Sequence, residues 1–374
     1  MLITRRRLLR RVGEGAVATV GLPLLGELSF AACTEPHGGP LRLNMNENAY
    51  GPSERTKATL RESVSLVNRY PDSADALVEA IAGLHGVEPE QVVVGCGSTQ
   101  ILRMAVAAFL GRGQRLVLAS PTFDAIAEYA RYAGADVVTV PLTKLHAHDL
   151  DAMLARVDAS AGLVYICNPN NPTGTLTPRR DVETFIRKLP STTRVLVDEA
   201  YHHYAGPSST YASFIDRPVD DDRVIVTRTL SKVYGLAGLR LGYAIAAPEP
   251  ARRLTSLRPP MTVSLLALRG GATALGDSEH VSLSVQRNAN DRQEFYNQAN
   301  ARMLRVIDSH ANFVLLHSGG RAEEAIRHLQ KHNILVAPTI PSMPKYIRVS
   351  LGQPREMREF WRVWDLMERG TIHM

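Results

Sequence analysis

At 374 residues, with 45% hydrophobic and 21% charged side chains, the chain is too long for one ordinary core and suits one large and one small folded domain. Its formal net charge of +6 is concentrated at the start, because residues 1–33 hold five arginines against two glutamates and the remainder carries 38 basic and 35 acidic side chains. A near-neutral body lacks the concentrated basic face that nucleic acid requires, and three cysteines without CxxC spacing exclude a disulfide framework or a zinc site.

In residues 1–33, the basic run Thr4-Arg5-Arg6-Arg7-Leu8-Leu9-Arg10 precedes an apolar stretch from Val12 to Phe30 that Glu14, Pro23 and Glu27 interrupt. A membrane-spanning helix needs about 20 nearly uncharged apolar residues, so this is not one. The basic run, the weak apolar stretch and Ala31-Ala32 together read as a secretory signal. The paired arginines are similar to twin-arginine (Tat) signals, which export folded proteins, so a periplasmic location is expected. A basic disordered arm on a cytoplasmic protein is the alternative. Phe30-Ala31-Ala32-Cys33 resembles a bacterial lipobox with Phe at the aliphatic position, making Cys33 a candidate lipid anchor.

Residues 34–65 form the next segment: a Pro-, Gly- and Asn-rich arm over 34–52, then a helix from Ser53 to Ser65. Residues 66–260 alternate short β-branched runs with helical stretches. The expected strands are Gln91–Val94, Arg115–Ala119, Asp136–Leu142, Leu163–Cys167, Val195–Val197, Val224–Thr227 and Leu241–Ala246. That alternation predicts an α/β large domain, a mostly parallel sheet with helices on both faces. Cys96 and Cys167 fall at strand ends, where buried free thiols are the default. After Arg258-Pro259-Pro260, residues 261–374 predict a smaller α+β domain: a helix from about Ser278 to Ile307, then strands Asn312–Leu316, Ile334–Ala337 and Tyr346–Val349.

Chemistry concentrates in a few segments. In Thr229-Leu230-Ser231-Lys232-Val233-Tyr234-Gly235, a single lysine stands in a Gly-punctuated turn after an apolar strand, where its amine can condense with an aldehyde. Thr229, three residues before it, and Arg240, eight after, offer a hydroxyl and a guanidinium to one phosphate. Val195-Leu196-Val197-Asp198 is an apolar strand ending in a carboxylate. Gly95-Cys96-Gly97-Ser98-Thr99-Gln100 joins a strand to an apolar helix, whose free N–H groups and dipole form an anion site. Arg348 lies mid-strand in Tyr346-Ile347-Arg348-Val349, where an unpaired guanidinium is costly unless it meets an anion.

In this order the segments resemble those of fold-type I pyridoxal 5'-phosphate (PLP) aminotransferases of class I/II, over about residues 41–365. The resemblance implies the PLP-transferase fold, with Lys232 carrying the cofactor as an internal aldimine. It gives Asp198 to the pyridine nitrogen, where it keeps the ring protonated as an electron sink. Tyr201 and Asn171, the Asn before Pro172-Thr173-Gly174, would contact the ring 3'-oxygen, and Phe123 would stack on the ring. Ser98, Thr99, Thr229 and Arg240 would hold the phosphate, and Arg348 would fork onto the substrate carboxylate.

Two further segments, Leu43-Asn44-Met45-Asn46-Glu47-Asn48-Ala49-Tyr50-Gly51-Pro52-Ser53 and Asn68-Arg69-Tyr70-Pro71-Asp72, are similar to histidinol-phosphate aminotransferases. They imply that Asn46 lines the substrate site and that Tyr70 reaches the cofactor phosphate of a neighbouring subunit, hence a homodimer. The expected activity is ping-pong transfer of an amino group from an amino acid or amino-alcohol phosphate to a 2-oxo acid such as 2-oxoglutarate. Decarboxylases and lyases share the scaffold, and a non-catalytic exported ligand-binding protein is the alternative of another class.

Overall fold

The computed structural model describes residues 39–367. The expected export signal and the candidate anchor Cys33 lie outside the described residues. After β1 (Leu41–Leu43) and α1 (Glu54–Ser63), the central strands are β2 (Val92–Cys96), β3 (Arg115–Ser120), β4 (Asp136–Pro141), β5 (Ala161–Cys167), β6 (Arg194–Asp198), β7 (Val224–Thr229) and β8 (Leu241–Ala246). They form one sheet in the order β2-β8-β7-β6-β5-β3-β4. Runs of Val, Leu and Ile fill it because both faces are covered: Val164 and Ile166 enter one core, and Leu163 and Tyr165 the other, as period-two alternation requires. The helix α2 (Gly97–Phe109) supplies Ile101, Leu102 and Ala105 to the second core.

One strand departs from the parallel pattern. β8 runs antiparallel to both β2 and β7. The connection from β7 is the loop 230–240, too short for the helical crossover that parallel strands need, so the chain must turn straight back. Lys232 is carried on that return loop.

The later part of the chain contains α3 (Ser278–Ala301), β9 (Val306–Ile307), β10 (Phe313–His317), β11 (Ile334–Val336), β12 (Tyr346–Ser350) and α4 (Pro354–Trp364). The antiparallel order is β12-β10-β9, and β1 pairs with β11, so the arm is tied to this second assembly. The expectation of a helix reaching Ile307 is corrected: α3 stops at Ala301, Met303 adopts φ 59°, and β-branched Val306-Ile307 pair instead with Leu316 and Leu315. Likewise α1 begins after Ser53, whose hydroxyl caps it by accepting the Thr56 N–H at 3.1 Å. The core here is aromatic: Phe295 of α3 meets Phe360 and Trp361 of α4 at ring separations of 5.9 and 4.8 Å.

Two close approaches position the loops. A Cβ on Gly242 of β8 would lie 2.3 Å from the Ser98 nitrogen, so the strand passes directly against the first turn of α2. At Gly235, with φ +68°, a Cβ would lie 2.4 Å from the carbonyl carbon of Gly51, so the Lys232 loop touches the arm. Gly242→Ala is therefore expected to lower unfolding free energy by about 1–3 kcal/mol. Gly83→Ala, in the helix Asp75–His85 with nothing within 4 Å, should raise it by about 0.5–1 kcal/mol. Urea unfolding midpoints of both variants test this pair of opposite signs.

Candidate active site

The carboxyl ends of the central strands gather the chemistry, as in other open α/β sheets. Asp198 ends β6, 3% exposed, and accepts hydrogen bonds from the Tyr165 hydroxyl at 2.9 Å and the Ala200 N–H at 3.1 Å. Burial raises its pKa to about 6, and the two donors hold it from rising further. It thus remains mostly ionised at neutral pH, and a cationic N–H beside it would stabilise that form more. Cys167, at the end of β5, is a buried free thiol whose pKa burial pushes up, so it is inert.

Lys232 is half-buried. Its Nζ donates to the carbonyls of Met45 at 3.1 Å and Asn46 at 2.9 Å and lies 5.7 Å over the Tyr201 ring. Burial lowers its pKa to about 8, with the charges of Arg348 and Arg240 acting in the same direction. Tyr201 is buried, its hydroxyl accepts from Asn46 Nδ2 at 3.0 Å, and its ring meets Phe313 edge-on at 5.1 Å. Burial pushes its phenol pKa up.

Arg348 on β12 approaches from the second sheet. Nη1 donates to Asn171 Oδ1 at 2.6 Å and Nη2 to the Asn44 carbonyl at 2.9 Å, while Nε is buried without a partner. No carboxylate among the described residues forms an ion pair with it, which removes the internal ion pair as an account of this charge.

The anion cradle is built from separate strands. Thr229 on β7 pairs with Gly242, which abuts Ser98 at the start of α2. The Thr229 hydroxyl donates to Ser231 Oγ at 2.9 Å and accepts the Ser231 N–H at 3.1 Å. A Cβ at Gly97 would lie 2.6 Å from Arg240 Nη2, so the guanidinium rests on the helix end, where first-turn N–H groups, including those of Ser98 and Thr99, have no intrahelical partner. Phe123 is half-buried against the second core, and its loop is tied to the Asn171 turn because Thr122 Oγ1 donates to Asn170 Oδ1 at 2.7 Å.

This donor set fits the cofactor that the resemblance implies. Hydroxyls, helix N–H groups and a guanidinium suit a phosphate, a carboxylate suits a protonated ring nitrogen, and an amine of lowered pKa suits an aldehyde. Lys232, Asn46 and Tyr201 are joined by direct hydrogen bonds, as are Arg348 and Asn171, and Arg348 reaches the same arm at the Asn44 carbonyl. Tyr70 is not among them: it stands 79% exposed. Sequence reasoning missed Tyr165, which reads as a core aromatic, and Ser350 and Asn312, which hold Asn46. The only local signal for Tyr165 was a hydroxyl-bearing ring in an otherwise aliphatic strand.

Known proteins fall into line with this geometry. The chain matches the aminotransferase class I and II family over residues 39–363. It is 34% identical to the histidinol-phosphate aminotransferase of Moorella thermoacetica, covering 86% of this chain and 84% of that protein. With histidinol-phosphate aminotransferase 2 of Ralstonia nicotianae it shares 36% identity over 84% of this chain and 85% of the relative. Among solved structures, histidinol-phosphate aminotransferase from Sinorhizobium meliloti in complex with pyridoxal-5'-phosphate gives a TM-score of 0.81 at 28% identity, covering 88% of this chain and 92% of that one. The chain belongs to the class I and II aminotransferases.

Proposed function

We propose that this PLP-dependent aminotransferase carries its cofactor at Lys232 and takes an amino group from an amino acid or a histidinol-phosphate-like amino-alcohol phosphate. The acceptor is a 2-oxo acid such as 2-oxoglutarate, which leaves as the corresponding amino acid while the donor leaves as its oxo product. When bound, PLP supplies an aldehyde carbon that exchanges amines and a ring that takes up electron density from the substrate Cα. The chain supplies the rest. Lys232, with its pKa lowered to about 8, is partly unprotonated near neutral pH and can accept the Cα proton and return it. Asp198 would hold a proton at the ring nitrogen, and Arg240, Thr229, Ser98 and Thr99 would hold the phosphate. Tyr201 and Asn171 would contact the ring 3'-oxygen, and Phe123 would stack on the ring.

The observation that carries this reading is Arg348, a guanidinium with an unpartnered buried Nε and no protein counterion. A donor carboxylate or phosphate satisfies it equally well. The test is a screen of histidinol phosphate, aromatic and aliphatic amino acids with 2-oxoglutarate, following the oxo product. Acceptor-dependent product is expected, lost with Lys232→Ala and lowered about 10- to 100-fold in kcat/KM by Arg348→Gln, the scale of a hydrogen bond to a charged group. Carbon dioxide, or ammonia without an acceptor, would overturn transamination in favour of decarboxylation or elimination.

The second proposal is a homodimer that shares its sites. Tyr70 at 79% exposure, with Val64 and Val67 at 56% and 57%, presents an apolar surface beside a phenol suited to a phosphate across the interface. Sedimentation should give a dimer, and Tyr70→Phe should weaken cofactor affinity several-fold without dissociating it. An active monomer would refute the idea.

Export through residues 1–33 is the third proposal, resting on the paired arginines. Cell fractionation should find the protein in the periplasm, and Arg5→Lys with Arg6→Lys should retain it in the cytoplasm. Cys33→Ser would abolish fatty-acid labelling if Cys33 is the anchor. Cytoplasmic parent protein would end the proposal.

A further inference from the structure

Asn46 is the most constrained residue of the arm. It is 2% exposed and takes the left-handed conformation, φ 53°, that residues other than glycine rarely adopt. Four side chains from distant parts of the chain hold it. Its N–H donates to Ser350 Oγ at 2.8 Å, and the same hydroxyl donates back to Asn46 Oδ1 at 3.0 Å, closing a ring. Its Nδ2 donates to the Tyr201 hydroxyl at 3.0 Å. Its carbonyl accepts from Lys232 Nζ at 2.9 Å and from Asn312 Nδ2 at 3.0 Å, and Asn312 also donates to the Glu47 carbonyl at 3.1 Å.

A carbonyl oxygen has two lone pairs. Asn312 occupies one, which leaves the other directed at the lysine amine. Ser350 fixes the peptide from the opposite side, and it does so from the strand that carries Arg348. Arg348 and Ser350 are two residues apart on β12 and share a face of it, and Arg348 itself grips the arm at the Asn44 carbonyl. The arm between Asn44 and Glu47 is thus stitched to the anion-binding strand along one side and to Lys232 and Tyr201 along the other.

We propose that Ser350 and Asn312 are positioning residues for proton transfer by Lys232, acting through the backbone and carboxamide of Asn46. The proposal rests on the reading of Lys232 as the proton-carrying amine. Its consequence is that the substrate-anion strand and the reacting amine share one rigid link. An anion drawn to Arg348 therefore meets an amine whose direction is already set.

The experiment uses the full-length protein, both as holoenzyme and after removal of the cofactor. In the holoenzyme, Ser350→Ala and, independently, Asn312→Ala should lower kcat about tenfold while the donor KM changes little, as misplacement of a reacting group does. The isotope effect with a Cα-deuterated donor should rise, because proton transfer becomes slower relative to the other steps. Ser350→Thr, which keeps the hydroxyl, should restore both values. In the cofactor-free protein, labelling of Lys232 by an amine reagent, read by peptide mass spectrometry, should be several-fold faster in both alanine variants, with exposed Lys188 unchanged. Ser350→Cys, similar in size and weaker as a hydrogen-bond partner, replaces the alanine variant if that one does not fold.

An effect confined to KM, or an unchanged isotope effect together with unchanged Lys232 labelling, would overturn the proposal and leave the two residues as simple anchors of the arm. A parent enzyme that turns over no donor would count against the aminotransferase reading alone, since the labelling comparison still decides whether Ser350 and Asn312 govern the amine.

Discussion

A half-buried guanidinium without a counterion among the described residues ties together the parts of this molecule. Removing a charge from water is costly unless the protein returns hydrogen bonds or an opposite charge, and Arg348 meets the Asn171 carboxamide, the Asn44 carbonyl and, at 5.6 Å, the face of the Phe313 ring, but no carboxylate among the described residues. The same two bonds also draw three parts of the chain together: the Asn171 turn after β5, the arm, and β12. The positive charge is felt at Lys232 as well, where it adds to burial in holding the amine pKa near 8. One cation therefore helps keep the neighbouring amine able to take up a proton.

The electrostatics of the opposite side run in the reverse direction. Asp198 is pushed up by burial and steadied by Tyr165 and the Ala200 N–H, so it stays a carboxylate. The next residue, Glu199, faces away into a buried network, accepting from Ser213 Oγ at 2.6 Å, from the Phe214 N–H at 2.7 Å and from Arg228 at 3.2 Å. Arg228 is on β7 immediately before Thr229. Breaking one partner of such a pair is far more costly than the pair is stabilising, so it fixes the relative placement of the β6 and β7 ends. That placement delivers Asp198 and Thr229 to the same end of the sheet.

Much of the site is legible in the chain because each strand end is a local event. An apolar run stops, and the next polar residue stands at the carboxyl end of the sheet: Asp198 after Val195–Val197, Lys232 in the loop after β7, and the α2 start after β2. The antiparallel return of β8 was less visible, since alternating strands and helices suggest parallel pairing throughout, and only the short loop forces the reversal. The end of α3 was hidden for a similar reason. A helical pattern continues toward Ile307, yet Val306 and Ile307 gain more from the open edge of β10.

By itself the sequence determined the alternation that makes an α/β sheet, the order of the chemical segments and the identities of the lysine, carboxylate and arginine, because these depend on neighbours in the chain. Only the tertiary structure decided which groups meet. Tyr165 reaches Asp198 across adjacent strands, and Ser350 and Asn312 reach Asn46 across 304 and 266 positions of the chain. No periodicity or spacing encodes contacts at such separations; they arise when two sheets and an extended arm are packed against one another, and the hydrogen-bonding capacity of each buried polar atom then selects its partner.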